Sequence, residues 1–510
     1  MPAAPYLHTA RRLLSLAVLL LAACGDSGLP ASARLAPRAS INPAAQCTAV
    51  QGANTSLHIL RHEGLNLIDD YGRVVLLHGV NAVWKIAPYF PPNKADGFSA
   101  ADADFLQAHG FNAVRLGVLF AGVMPKPGMI DQSYLDGVDR VLQLLAARQI
   151  YVLLDFHQDA YNERFSGEGF PPWAVYDDGL PFFSTNSFFA NYFTPAVART
   201  FDNLYADKNG LWNYYADAWA AVARRWHQQP YLLGYDLINE PSAGSQTASC
   251  ASPAGCPQFD PTLQAFEDRS RLAIRAIDTA HLAWFEPQLL SQFPTGKGNF
   301  TAVNDPQTGY SWHNYACTGA FLNAAGFPSG PDCPIGEDLV FGNAETQAMT
   351  MQAASLLTEF GATDDVVDVA RMVQLADKHL VGWLYWALKT WNDPTTTGSG
   401  GAQSLFAKDG DLSTVKLDKI RALDRSYPQA TAGLPVALSF DPTTAAFNYR
   451  FNPAAGCGIT EIHVPLALHY PHGYRVTVTG AKAISAANAG LLLLENLPGF
   501  SEVSVQVNPL

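Results

Sequence analysis

Charge is scarce in this chain, and positive charge scarcer still: 15% of its 510 residues are charged, with 32 Lys and Arg against 45 Asp and Glu. No basic patch stands along it, and a net charge of −13 repels a polyanion, which excludes nucleic acid as a partner. The apolar run from Leu13 to Leu21 is too short to span a bilayer, which takes about 20 residues. Cysteine is sparse as well, with seven in all, and no spacing among them resembles a zinc site. What is plentiful is apolar and aromatic material, 48% and 11% of the residues, which excludes a disordered chain. A length of 510 residues suits one large domain with a smaller one, and 40 Gly and 34 Pro suit many loops between regular elements.

The first residues read as a targeting signal, because Arg11 and Arg12 precede the apolar run. Leu21-Ala22-Ala23-Cys24 then resembles a bacterial lipobox, in which Cys24 is lipidated and becomes the first mature residue. The alternative is an ordinary signal peptide cut after small residues. The expected organisation is a signal peptide over 1–23, a lipoprotein tether over 24–56, a catalytic domain over 57–428 and a small β-domain over 436–510. The mature protein is then exported, either anchored to a bacterial membrane or secreted. Setting Cys24 aside leaves six cysteines, an even number that fits an oxidising compartment. Cys250 with Cys256, Cys317 with Cys333 and Cys47 with Cys457 are one pairing among fifteen.

From about residue 57 apolar strand-like runs alternate with helical patterns, as a parallel α/β architecture requires. Strands are expected at 74–79, 113–118, 151–156, 232–239, 283–287, 310–313, 356–361 and 381–387, and eight is the number that closes a (β/α)8 TIM barrel. Helical patterns fall between them at 133–147, 211–225, 261–279 and 365–378. A Pro- and Gly-bearing linker is expected over 427–435. Short alternating runs at 436–440, 445–451, 460–466, 474–478 and 503–507 follow it and suggest an antiparallel β-sandwich.

The most telling segment is Asp236-Leu237-Ile238-Asn239-Glu240-Pro241, an apolar strand that delivers a carboxylate at its carboxyl end, where barrels place their chemistry. Glycoside hydrolysis with retention needs a second carboxylate about 5 Å away. Glu359, closing Leu356-Leu357-Thr358-Glu359, is the candidate. The other expected strand ends carry His78 with Asn81 and Lys85, Arg115, Asp155 with His157 and Asp159, Glu286, His313 with Tyr315, and Trp386. Arg115 and Tyr315 suit the task of holding Glu359 ionised, which should lower its pKa. Repulsion from Glu359 should keep Glu240 protonated, with His313 fixing its orientation. Asn239 is placed to bond the sugar 2-hydroxyl, and Trp386 offers a flat face to the ring.

On these residues the chain resembles glycoside hydrolase family 5, whose Arg, His, Asn-Glu, His, Tyr, Glu and Trp are matched by Arg115, His157, Asn239-Glu240, His313, Tyr315, Glu359 and Trp386. Within it the chain looks most like the endoglycoceramidase group, on the segments running from His78 to Lys85, from Asp155 to Asp159 and from Pro172 to Pro181, and on the C-terminal sandwich. The resemblance implies Glu240 as acid/base, Glu359 as nucleophile, and Lys85, His157, Asp159 and Trp173 along the glycan side. The implied reaction is hydrolysis of the β-glycosidic bond between glycan and ceramide, without metal or organic cofactor. The rival readings are a family 5 glucosyl- or galactosylceramidase, a polysaccharide β-glycanase, and a surface lipoprotein that binds glycolipid without cleaving it.

Phe182, Phe183, Phe188, Phe189, Tyr192 and Phe193 crowd one long loop after the third expected strand. Such a loop either offers a surface to ceramide chains or a bilayer, or packs beneath itself as a satellite core. Phe321, Leu322 and Phe327 are placed to extend the patch.

Overall fold

The computed structural model describes residues 56–510 apart from 186, 295, 317–332 and 396–400. The expected signal peptide and tether, Cys24 included, lie outside these residues, as do Phe321, Leu322 and Phe327. Eight parallel strands close into a barrel: β1 (His78–Ala82), β2 (Ala113–Val118), β3 (Tyr151–Phe156), β4 (Leu232–Asp236), β5 (Leu282–Phe285), β6 (Thr308–Asn314), β7 (Ala354–Gly361) and β8 (Gly382–Trp386). Helices at Gln132–Ala146, Leu211–Trp226, Asp260–Arg275 and Val366–His379 match the expected helical patterns. Two of them start on an aspartate that accepts backbone N–H groups of the first turn, Asp131 from Ser133 and Tyr134, and Asp365 from Val367 and Asp368.

Strand parity sorts the barrel residues. Val114, Leu116 and Val118 of β2 and Val152, Leu154 and Phe156 of β3 join the large apolar layer that the helices cover. Ala113 and Leu153, of opposite parity, lie in a separate core at the barrel floor. Arg115 and Asp155 share that inward parity one step further up. Strand β7 departs from the alternation, for its register with both neighbours shifts just after Leu357. Leu357 and Phe360 both face the helix layer, so the bulge leaves Thr358 and Glu359 to turn toward the barrel interior.

The first expected strand needs correcting. Val74–Val75 is not in the barrel but pairs with Thr431 and Ala430, and the barrel strand begins only at His78. The apolar run Val74 to Leu77 serves two sheets without a turn residue between them. His78 therefore sits at the amino end of its strand, stacked on Trp383 and Tyr427 at the barrel floor, far from any strand-end chemistry.

The C-terminal sandwich has sheets of seven and four strands. The larger takes Arg61–Glu63, Asn66–Ile68 and Val74–Val75 from ahead of the barrel, then Tyr427–Thr431, Ile459–His463, Leu491–Asn496 and Ala481–Ala483 from behind it. The expected linker is thus largely strand: Tyr427–Thr431 is the central rung joining both ends of the chain, and Gly433–Phe440 opens the smaller sheet. Phe447, Tyr449, Phe451, Val503, Val505 and Val507 of one sheet meet Ile462, Leu492 and Leu494 of the other in a closed core. Cys250 and Cys256 are bonded as expected. Cys457 is also disulfide-bonded, its partner outside the described residues, and the Cys317–Cys333 pairing falls outside them too.

Candidate active site

Glu359 sits on β7 and Glu240 four residues past the end of β4, with 4% and 5% of their surface exposed. An oxygen of each, together with a ring nitrogen of His313, fall within 4.8 Å of one another. Arg115 Nη1 donates to Oε1 of Glu359 at 2.5 Å and the Tyr315 hydroxyl to Oε2 at 3.0 Å. Nδ1 of His313 lies 3.0 Å from Oε1 of Glu240. The structure thus brings Arg115 and Tyr315 to Glu359 and His313 to Glu240.

The electrostatics differ from expectation in two respects. Burial, more than any neighbour, pushes Glu240 up to about 8, and the neighbouring charge that adds most to this is Asp159 rather than Glu359. Glu359 is itself raised by burial, against the pull of His313 and Arg115, instead of lying below the ordinary range. His313 is pushed down to about 4 by burial and is a neutral imidazole at pH 7, so the cation that holds Glu359 ionised is Arg115.

Arg115 is wholly buried and is the hub of the site. Besides Glu359 it meets Asp236 at 2.8 Å, Asp155 at 3.1 Å and Glu286 at 3.2 Å, and donates to Oδ1 of Asn239 at 2.9 Å. Asn239 Nδ2 in turn donates to the Gln158 carbonyl at 3.0 Å, so both ends of its amide are engaged within the protein. Glu240 has a left-handed backbone, φ +40°, which costs a residue with a side chain on the order of 1–3 kcal/mol. Three polar contacts hold it there. Gln158 Nε2 donates to the carbonyls of Asn239 and Glu240 at 2.8 and 3.0 Å, and Oε1 of Glu286 accepts the Glu240 N–H at 2.7 Å. Sequence reasoning missed Asp236 and Gln158, although Asp236 has the inward parity of Asp155, its partner in register.

Lys85, Asp159, His157 and Trp386 form a second cluster beside the acids. The Lys85 ammonium pairs with Asp159, lies 3.1 Å from Asp393 and 3.5 Å from Glu168, and donates to Thr395 at 2.7 Å. It also stands 4.7 Å above the Trp386 ring, on which His157 stacks at 5.3 Å. Burial opposes its charge, but Asp159, Asp393 and Glu168 override that and raise it well above the usual lysine range. Burial likewise opposes charge on His157, yet Asp155, 2.7 Å from Nδ1, pushes it up to about 10. Glu168 is raised well above the carboxylate range by burial, against the pull of Lys85. Glu168, Asp393 and Thr395 were also missed. Glu168 lies between Gly167 and Gly169, where any Cβ would strike Asp159 O at 1.8 Å or Gln158 Cβ at 2.3 Å. A Gly-Glu-Gly step inside an active-site loop was the available signal. Trp173 joins neither cluster: its indole N–H donates to the Met124 carbonyl, and its ring packs on Phe120 and Tyr214.

The aromatic loop divides between its two expected fates. Tyr192 is fully buried, whereas Phe183 is 77% and Phe193 37% exposed. Phe189 touches Phe193 and Phe293, and Phe293 packs against the cluster that contains Tyr315 and Trp386. An aromatic path therefore runs from exposed loop to carboxylates.

The chain matches the family described as Cellulase (glycosyl hydrolase family 5) over residues 68–392, and the glycoside hydrolase family 5 C-terminal domain over 425–507. It is 34% identical over 461 residues to Endoglycoceramidase I of Rhodococcus hoagii (strain 103S), an alignment covering 89% of each chain. Among solved structures it is similar to endo-glycoceramidase II from Rhodococcus sp. as a lactosyl-enzyme intermediate and as a ganglioside GM3 complex. Both superpose with a TM-score of 0.71 at 28% identity, covering 87% of this chain and 99% of the other. With its closed barrel, its two facing carboxylates and these matches over most of its length, the chain belongs to glycoside hydrolase family 5.

Proposed function

We propose that the protein hydrolyses the β-glycosidic bond between glycan and ceramide in glycosphingolipids with retention of configuration, releasing intact oligosaccharide and ceramide. The observation that carries this is the approach of a Glu240 oxygen and a Glu359 oxygen to within 4.8 Å. Inverting enzymes hold their carboxyl groups about 6.5–9.5 Å apart to admit a water, and retaining ones about 5–5.5 Å. Glu240 protonates the ceramide oxygen as Glu359 attacks the anomeric carbon, the C–O bond breaks, and a glycosyl ester forms on Glu359. Glu240, now a base, takes a proton from water, whose oxygen displaces Glu359 and regenerates both groups. The lactosyl-enzyme and ganglioside complexes of the Rhodococcus relative support the same chemistry on the same class of substrate. Lys85, Asp159 and His157 are assigned to the glycan side, and the path from Phe293 through Phe189 to Phe193 to the ceramide side.

Mass spectrometry of the products from a ganglioside tests the reading. Intact oligosaccharide with free ceramide supports it; cleavage confined to monohexosylceramides points to a short-glycan relative, and no sphingolipid cleavage to a polysaccharide glycanase or a binding protein.

The exposed aromatics give a second test. In the double variant Phe183→Ser, Phe193→Ser, kcat/KM on ganglioside falls about 100-fold or more, from roughly 1.5–3 kcal/mol for each Phe side chain that a lipid covers. A soluble aryl glycoside, which does not reach the loop, serves as control; equal losses on both substrates would assign these rings to packing.

We infer further that Cys24 is lipidated and holds the enzyme at a membrane, on the strength of Leu21-Ala22-Ala23-Cys24 after the basic and apolar segments. Among the described residues no helix is long and apolar enough to cross a membrane. Cys24→Ser then moves the protein from the membrane fraction to the soluble fraction, and an unlipidated mature N-terminal peptide from the native sequence would refute the anchor.

A further inference from the structure

Glu286 has no part in the double displacement, yet it touches the acid/base, its imidazole partner and the hub arginine at once. Oε1 accepts the Glu240 N–H at 2.7 Å and faces Nε2 of His313 at 3.5 Å, while Oε2 meets Arg115 at 3.2 Å. It is 2% exposed, and its own backbone is tied, for its N–H donates to Oε1 of the buried Glu267 at 2.8 Å. The group it grips is the backbone of a residue at φ +40°, a conformation that persists only where its surroundings over-determine it.

We propose that Glu286 is the positioning residue of the acid/base: it locks the left-handed turn at Glu240 from the backbone side, while His313 orients the Glu240 carboxyl from the other. Released from Glu286, the Glu240 N–H is a buried donor without an acceptor, the turn relaxes, and the Glu240 carboxyl swings away from the leaving oxygen. Glu359 stays where β7, Arg115 and Tyr315 hold it, so the damage falls on proton donation and not on nucleophilic attack. Burial pushes Glu286 well above the usual carboxylate range, and glutamine keeps both its length and an acceptor oxygen for the Glu240 N–H.

The proposal rests on the retaining mechanism above, and its test separates the two. Full-length protein is assayed with aryl β-lactosides of graded phenol acidity, reading kcat/KM, which reports glycosylation alone. In Glu286→Met, which keeps the length and removes the acceptor, kcat/KM on a poorly activated aryl lactoside falls about 100-fold, the lower range of general acid catalysis, whereas the dinitrophenyl lactoside changes by less than about 3-fold. The rate at which a 2-fluoro dinitrophenyl glycoside labels Glu359 follows the dinitrophenyl substrate, and Glu286→Gln recovers most of the loss. If Glu286→Met does not fold, Glu286→Asp, which retracts the carboxyl by one methylene, enters the same comparison. Equal losses on both leaving groups, no loss on either, or failure of glutamine to restore the poor substrate overturns the proposal. Wild-type protein inert toward every β-glycoside would instead overturn the functional reading beneath it.

Discussion

Turnover of ganglioside by Glu359→Gln falls on the order of 10⁴-fold or more, because the amide gives the anomeric carbon no oxygen on which to build the glycosyl ester. The fold survives the change. Arg115 keeps Asp155, Asp236 and Glu286 within 3.2 Å, so no buried cation is stranded, and removing one of four acids around a single guanidinium relieves crowding. Thermal unfolding should therefore move little while activity collapses. Azide identifies the role. In Glu359→Gly an aryl β-lactoside is attacked by azide in one inversion, giving an α-lactosyl azide and the free phenol. Ordinary ganglioside turnover by Glu359→Gln, or a β-azide from Glu359→Gly, would remove Glu359 from the nucleophile's place.

Glu240→Gln is expected to lose about 10³–10⁴-fold in kcat/KM on ceramide glycosides, the full worth of a general acid against a poor leaving group. It should lose far less on dinitrophenyl lactoside, whose phenolate leaves without a proton. The pH profile carries the same information. Glycosylation needs Glu240 protonated, and burial sets its pKa at about 8. In the wild type kcat/KM accordingly falls as pH rises through about 8, and falls on the acid side as Glu359 takes up its proton. The basic limb that the wild type shows on a poorly activated aryl lactoside should disappear in Glu240→Gln measured with the same substrate. With Glu240→Ala and azide the product is β-lactosyl azide, since azide now enters the glycosyl-enzyme from the face vacated by the missing base. A basic limb that persists in Glu240→Gln would assign the titration to another group.

The sequence made the strand ends legible because the barrel's own parity puts their chemistry there. Arg115, Asp155, His157, Glu240, His313 and Glu359 all follow from a strand-end reading. His78 was misplaced because Val74 to Leu77 is apolar without a break, and nothing local marks the crossing from one sheet to another. Glu168, Asp393 and Thr395 come from loops whose path no periodicity reports, and they became visible only through the buried ammonium of Lys85. The cause of the raised Glu240 pKa was misjudged for a related reason: pairing two acids by sequence suggests mutual repulsion, whereas desolvation depends on everything packed around them. The bulge in β7 that turns Glu359 inward leaves no mark in Leu356-Leu357-Thr358-Glu359.

The seven-stranded sheet has a consequence for how the protein is made. Its strands at Asn66–Ile68 and Val74–Val75 emerge before any of the barrel, yet the rung beside them, Tyr427–Thr431, is synthesised some 350 residues later. The early strands wait as a short hairpin that is marginal on its own, and loop closure over so long a stretch slows their completion. The barrel floor is consequently sealed last, by the same event that completes the sandwich. A chain released early, or one shortened at its C-terminus, exposes that floor and an open strand edge together, the arrangement most open to pairing with another chain.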